Sequence, residues 1–323
     1  MKIRLRRSIV GLLGALALLS SVPTSAASYP ERPIKLVVPF PPGATTDVVG
    51  RAIAQWLSAS LGQQVVVENR AGAAATIGTQ FVATSPPDGY TLLLGISSSM
   101  VVAPVFTKVP YDPVKDFAPI SIVTSAPFGL VVHPSVPAKN TAELIALAKA
   151  RPGALNMASS GDGSSAHLTG ELFKSMAGIN MTHVPYKGGA PAMTDLIGGQ
   201  VEVLFDVVSA TLPHVASGKV RALGVSSTER LAASPDIPTI AETVPGYESS
   251  AWFGIPAPAG TPPEIVSRLN RELVDAVSRP ENQKFLTERG LQPIGTTPER
   301  FADQIRNDLV KWGKVVKEAT AKR

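Results

Sequence analysis

The sequence predicts an α/β fold of two units, each a mostly parallel sheet with helices on both faces. Three observations predict it. Short β-rich runs alternate with segments of helical period along the chain. The alternation starts afresh after Pro127, and in each block one strand empties into a small-residue turn that leads into a helix.

In the first block, residues 34–38 (Ile-Lys-Leu-Val-Val) form a strand that ends at Pro39. Residues 46–61 follow with Val49, Ile53, Trp56 and Leu57 on one helical face, and Gly62 stops them. Residues 64–67 give a second strand, 76–83 a helix and 91–94 a third strand, with the turn Pro86-Pro87-Asp88-Gly89 between the last two. In the second block a strand at 130–132 precedes a helix at 141–150, whose apolar side is Leu144, Ile145 and Leu147. Strands at 155–158, 182–184, 202–205 and 220–225 and helices at 166–176 and 190–197 continue the rhythm. The tail differs: one strand at 251–255, then two long helices opened by Pro262-Pro263-Glu264 and by Pro298, a residue suited to a first helical turn. A single strand cannot make a domain, so the tail is expected to pack back onto the first block. The expected division is a first lobe of 28–126 with 251–323 and a second lobe of 127–250. Crossings near 125–128 and 248–252 then leave a hinged cleft between them.

The start of the chain reads as an export signal. Lys2, Arg4, Arg6 and Arg7 precede an apolar run at 9–19, and Ser25-Ala26-Ala27 offers small residues for cleavage after Ala26 or Ala27. Eleven apolar residues are too few to cross a hydrocarbon core of about 30 Å. The chain carries 30 bases against 25 acids, but four of those bases lie in residues 1–27 and none of the acids do. The mature chain is therefore close to neutral, and its bases are interleaved with acids, which argues against nucleic-acid binding. Cysteine is absent, so stability must come from buried apolar surface rather than disulfides.

The two turns are the candidate site. In the first block, residues 39–47 include Phe40, Pro42, Gly43, Ala44, Thr45, Thr46 and Asp47; in the second, residues 158–165 include Ser160, Gly161, Gly163, Ser164 and Ser165. Ligands of open parallel sheets bind where strand carboxyl ends meet helix N-termini. Glycine permits close backbone approach there, and the first helical turn offers unpaired N–H groups and a favourable dipole. Two such turns across a cleft suit a small anion.

Enzyme readings find less support. Gly161-x-Gly163-x-x-Ala166 matches a dinucleotide fingerprint, but no acid lies about twenty residues on and the strand is not the first of its block. A serine hydrolase would draw on Ser164 and His167, yet no G-x-S-x-G occurs. His133, His167, His183 and His214 lack paired metal-ligand spacing. No cofactor is implied.

A family resemblance runs along the whole mature chain. Tyr29-Pro30-x-Arg32-Pro33-Ile34, Val37-Val38-Pro39-Phe40-Pro41-Pro42-Gly43 and Asp47 open it. Val67-Glu68-Asn69-Arg70, Pro87-Asp88-Gly89-Tyr90-Thr91-Leu92, Ser160-Gly161-x-Gly163-Ser164, His183-Val184-Pro185-Tyr186-Lys187-Gly188, Phe205-Asp206 and Trp252-Phe253-Gly254 continue it. The chain thus resembles the Bug (TctC) family, extracytoplasmic solute-binding proteins of tripartite tricarboxylate transporters. The resemblance implies a two-lobed periplasmic binding protein fold of type II that closes on a small organic acid and delivers it to membrane permease subunits. It also implies a monomer in the periplasm. A sensor subunit presenting its bound ligand to a membrane receptor would look the same. Carried onto this sequence, the resemblance implies ligand contacts from the first turn (Phe40 to Asp47), from Ser97 and Ser98, from the second turn with His167, from Tyr186, and from Asp206 near the ligand's variable end. Two departures stand out: Gly43-Ala44 where the family reads Gly-Gly, and Ala71-Gly72-Ala73-Ala74-Ala75 where it reads Pro-Gly-x-Gly-Gly.

Overall fold

The computed structural model describes residues 29–43 and 45–321. The export signal, its cleavage site and Ala44 lie outside the described residues.

The first lobe begins with β1 (Ile34–Val38), α1 (Thr45–Leu61), β2 (Val65–Asn69), α2 (Thr76–Ala83) and β3 (Thr91–Leu93). These strands form a parallel sheet in the order β2-β1-β3, with β1 in the middle and four of its five residues fully out of water. A short strand β4 (Gly95–Ile96), a π-helical turn at Ser98–Val102 and α3 (Ala103–Phe106) follow.

The chain then runs into β5 (Phe117–Val132), a 16-residue strand that belongs to both lobes. Its first part, to Pro127, pairs antiparallel with β10 (Ser250–Pro258); from Phe128 on it pairs with β8 (Val203–Val207) and β9 (Arg221–Val225). Pro127, in sequence the point where the alternation restarts, does not end an element. It lies inside the strand at the point where β5 exchanges neighbours, a place where the missing N–H costs little. The second lobe adds α4 (Thr141–Ala150), β6 (Asn156–Ser159), α5 (Ser165–Ala177), β7 (Thr182–Pro185), α6 (Gly189–Ile197) and α7 (Val208–Ala216). β7, β6 and β8 are parallel neighbours. The expected parallel pairing thus holds for the trio in each lobe, while β5 makes the eight-stranded sheet that joins them mixed.

Caps explain where the second-lobe helices start. Asn140 Oδ1 accepts the Glu143 N–H at 2.9 Å to open α4, and Ser164 Oγ accepts the His167 N–H at 3.1 Å to open α5. Gly178, in the left-handed region, ends α5. The tail holds α8 (Pro263–Ser278), α9 (Pro280–Thr287), β11 (Gln292–Pro293) and α10 (Pro298–Ala321). One core lies between β1, β3 and β10 and the apolar faces of α1 and α8, with Ile53, Leu57, Leu269 and Leu273 fully enclosed. α10 packs on the first lobe and reaches the second: Trp312 and Val315 join a core that includes Met100 and Phe117 as well as Phe173 and Tyr247, and Ser175 Oγ of α5 donates to Glu318 Oε2 at 2.6 Å. Among the described residues no helix is long and apolar enough to cross a membrane.

Candidate functional site

The carboxyl ends of β1 and β2 build the first turn. Parallel pairing sets Val38 opposite Asn69, so Asn69 Nδ2 reaches the Phe40 carbonyl at 3.0 Å and Asp47 Oδ1 at 2.8 Å. Asp47 Oδ2 accepts from the Gly43 N–H and from Arg51 Nε, both at 2.9 Å. Gly43 has φ +85, a conformation glycine enters without strain. Burial opposes the charge on Asp47, yet the bonds from Arg51, Gly43 and Asn69 outweigh it and hold the carboxyl at about 2. Asp47 is thus a brace for the turn, with its lone pairs turned to the protein. Phe40 is half-buried, Pro42 and Gly43 are exposed, and Thr46 is buried. Ser97 sits at the head of the π-helical turn, buried, with its hydroxyl lacking a hydrogen-bond partner, and Ser98 beside it is half-buried.

The second turn lies at the carboxyl ends of β6, β7 and β8. Gly161 and Gly163 both adopt positive φ, +130 and +69. Their N–H groups are used inside the protein: Gly161 donates to Ser159 Oγ at 3.2 Å and Gly163 to His167 Nδ1 at 3.0 Å. Ser164 Oγ donates to the Gly161 carbonyl at 2.7 Å while capping α5. Tyr186, at the end of β7, donates its N–H to the Ser159 carbonyl at 3.1 Å and its hydroxyl to Asp195 Oδ2 at 2.7 Å. Asp206, at the end of β8, is buried; burial pushes its carboxyl up, offset in part by the Val207 N–H at 2.8 Å. A Cβ on Gly189 would stand 2.1 Å from Asp206 Oδ2, so only glycine at the start of α6 leaves that carboxyl its place.

The structure therefore gathers Ser160, Gly161, Gly163, Ser164, Ser165, His167, Tyr186 and Asp206 at one end of the β7-β6-β8 trio, and Phe40, Pro42, Gly43, Thr45, Thr46 and Asp47 at the corresponding end of β1. Phe106, at the end of α3, reaches the second turn: its ring lies against Gly163, where a Cβ would stand 2.9 Å from Cδ1. Phe106, Asn69 as the partner of Asp47, and His183 as the partner of Ser159 carried no signal in linear spacing. The parallel register of β2 on β1 and of β7 on β6 is what places Asn69 and His183.

The profile of the tripartite tricarboxylate transporter family receptor matches residues 49–320. Protein BugT of Bordetella pertussis is 40% identical over 318 residues, covering 98% of this chain and 97% of that one. The chain belongs to the tripartite tricarboxylate transporter receptor family. Among solved structures, Rpa4515 of R. palustris with adipate superposes on this receptor with a TM-score of 0.76 at 39% identity, covering 90% of this chain and 98% of that one. MatC (Rpa3494) from Rhodopseudomonas palustris with bound malate gives 0.72 at 32% identity, covering 89% and 100%. These relatives share the two-lobed fold, and the receptor is a solute-binding protein by family.

Proposed function

We propose that this receptor captures a small organic carboxylate between its lobes, 28–126 with 251–323 on one side and 127–250 on the other, and passes it to the permease subunits of its transporter. The observation that carries the reading is the pair of strand-to-helix turns. The first, braced by Asp47, opens the 17-residue α1, and the second, capped by Ser164, opens α5. Helix N-termini attract carboxylates through their unpaired N–H groups and dipole. Adipate and malate in two relatives of the same fold fit that chemistry. The cleft ligand set is Phe40 to Asp47 with Ala44, Ser97 and Ser98 on one side, and Ser160 to Ser165, His167, Tyr186 and Asp206 on the other. Asp47 and His167 act from behind their turns. Asp206 faces the variable end, where a protonated carboxyl donates to a ligand and an ionised one selects a hydroxyl or ammonium.

The protein works as an exported monomer in the periplasm, cleaved after Ala26 or Ala27. It turns nothing over: the Ser164 hydroxyl is committed to the Gly161 carbonyl, and His167 Nδ1 faces an N–H rather than that hydroxyl. Thermal unfolding of the purified mature chain with adipate, malate and citrate tests the binding reading. A ligand at a hundred times its Kd stabilises by about 2.7 kcal/mol, a shift of several degrees. Absence of any shift across a broad carboxylate panel overturns it, as does ester hydrolysis abolished by Ser164→Ala.

A further inference from the structure

Behind the second turn lies a pair of histidines that the cleft reading leaves unexplained. His167 comes from the first turn of α5 and His183 from β7, and their rings stack face to face, 3.8 Å apart and 8° from parallel. Each ring holds one part of the turn. His167 Nδ1 accepts the Gly163 N–H at 3.0 Å. His183 Nε2 lies 2.7 Å from Ser159 Oγ, which in turn accepts the Gly161 N–H at 3.2 Å. Both side chains are withdrawn from solvent, 2% and 6% exposed.

The outward nitrogens, His167 Nε2 and His183 Nδ1, have no hydrogen-bond partner. Glu171 Oε1 stands 3.7 Å from the first and Asp162 Oδ1 3.6 Å from the second. The two histidines and their carboxylates border a cavity of about 1100 Å³, which Lys149 of α4, Lys174 of α5 and Glu318 of α10 also line. Asp162, His167 and His183 bring candidate metal-ligand atoms within 4.8 Å of one another. A ring nitrogen binds a metal in the plane of its ring, and one ion cannot lie in two parallel planes 3.8 Å apart. The stack serves another end.

An N–H can donate to Nδ1 only while that nitrogen keeps its lone pair. The neutral His167 ring therefore carries its proton on Nε2, toward Glu171. A second proton, on Nδ1, would set two donors against each other at the Gly163 amide. A charge on either ring would also face its stacked neighbour at van der Waals distance.

We propose that the His167–His183 stack is the positioning device of the second-lobe turn, and that the receptor holds its anionic ligand only while both rings are neutral. Proton uptake by groups behind the turn then releases a ligand they do not touch. The charge gained on protonation does not compensate by attracting the anion. The carboxylates Glu171 and Asp162, 3.7 and 3.6 Å from the two rings, with Glu318 across the same cavity, offset it locally, whereas the broken bond is at the turn itself.

This rests on the cleft reading, and the test separates the two. Adipate and malate affinities are measured by calorimetry for wild type, His167→Asn, His167→Ala and His183→Gln across about pH 8 to 4, a range that takes in the depressed His183 imidazole. Asparagine Oδ1 stands where Nδ1 stood and accepts the Gly163 N–H but cannot take a proton. Glutamine likewise replaces Nε2 toward Ser159. At each pH the ratio of variant to wild-type affinity cancels the ligand's own titration. His167→Ala is expected to lose at least about tenfold at pH 8 and His167→Asn to recover most of it. The Asn-to-wild-type ratio should then climb about tenfold on acidification. A ratio flat with pH, or Asn no better than Ala, overturns the proposal. If neither acid binds wild type at pH 8, the cleft reading has failed, and the proposal is then judged on ¹⁵N-glycine spectra alone. The Gly163 amide should move with pH in wild type and stay fixed in His167→Asn; movement in both, or in neither, overturns it.

Discussion

The ring of Phe106 lies on Gly163. With φ +69 and ring carbons 2.9–3.1 Å from where a Cβ would be, that glycine admits no larger residue without displacing the α3 end from the second-lobe turn. The contact joins the segment that carries Ser97 and Ser98 to the turn that carries Ser160 to Ser165. A substitution on either side should therefore act on closure rather than on the ligand directly. Gly163→Ala should lower stability by about 1–2 kcal/mol through left-handed strain and also weaken carboxylate binding. Phe106→Ala removes a ring that is 37% exposed, so its stability effect should be small while the bound carboxylate dissociates faster. Thermal unfolding and stopped-flow dissociation distinguish them; equal destabilisation by both would refute the closure role.

Asp47 should make the first turn acid-sensitive. Its carboxyl is held at about 2 against an ordinary 3.8, so the native state binds fewer protons than the unfolded chain between those values. Its contribution is complete above about pH 4 and is lost as pH falls through about 2, amounting to about 2 kcal/mol. Urea unfolding at descending pH should show this loss, and Asp47→Ala should abolish it. That variant should also cost about 3 kcal/mol at neutral pH, because the Gly43 N–H and Asn69 Nδ2 lose their acceptor.

His183 should add a separate step at higher pH. Burial, and then the neighbouring His167, press its imidazole down to about 4 from 6.5. For a base depressed in this way the unfolded chain takes up protons first. Stability is full above about pH 6.5 and falls as pH drops toward 4, by up to about 3 kcal/mol. Calorimetric unfolding of His183→Gln should show a flatter profile over that interval, while the Asp47 step at lower pH persists.

The loop after β2 carries strain that glycine would relieve. Ala73 and Ala75 have φ +46 and +75; Ala75 stands where the resembled family reads glycine, and Ala73 at the variable position of the same stretch. Left-handed alanine costs about 1–2 kcal/mol, against about 0.5–1 kcal/mol for the extra freedom glycine brings to the unfolded chain. Ala73 is exposed, so Ala73→Gly should stabilise by about 0.5–1 kcal/mol. Ala75 is 3% exposed, and losing its buried methyl, about 0.8 kcal/mol, should leave Ala75→Gly near neutral. Equilibrium denaturation of both variants checks the ordering.

Much of the architecture could be read along the chain because it depends on local signals. The apolar period of α1 and α8, the proline starts and the small-residue turns all act within a few residues. Helix α2 spans residues 76–83, as its pattern predicts. α9 and α7 were not anticipated. The first follows α8 with only Arg279 between them, and the second carries Pro213 inside it, so neither shows a clear boundary or period. The unity of β5 was hidden for a related reason: Pro127 breaks a strand unless the partner strand changes there, and only pairing reveals that change.

By itself the sequence predicted an export signal and determined a cysteine-free α/β chain of two lobes with a glycine-bearing turn in each, together with the family to which those turns belong. Tertiary structure decided what the turns' groups do. Asp47 and His167 stand in the sequence as candidate ligand contacts; the parallel pairing of β1 with β2 adds Asn69 to the first, and β7 sets His183 against the ring of the second. The physical reason is that a lone pair or an N–H has a small number of partners. Asp47 takes Asn69, 22 residues away, and His167 takes the Gly163 N–H while its ring stacks on His183 of β7.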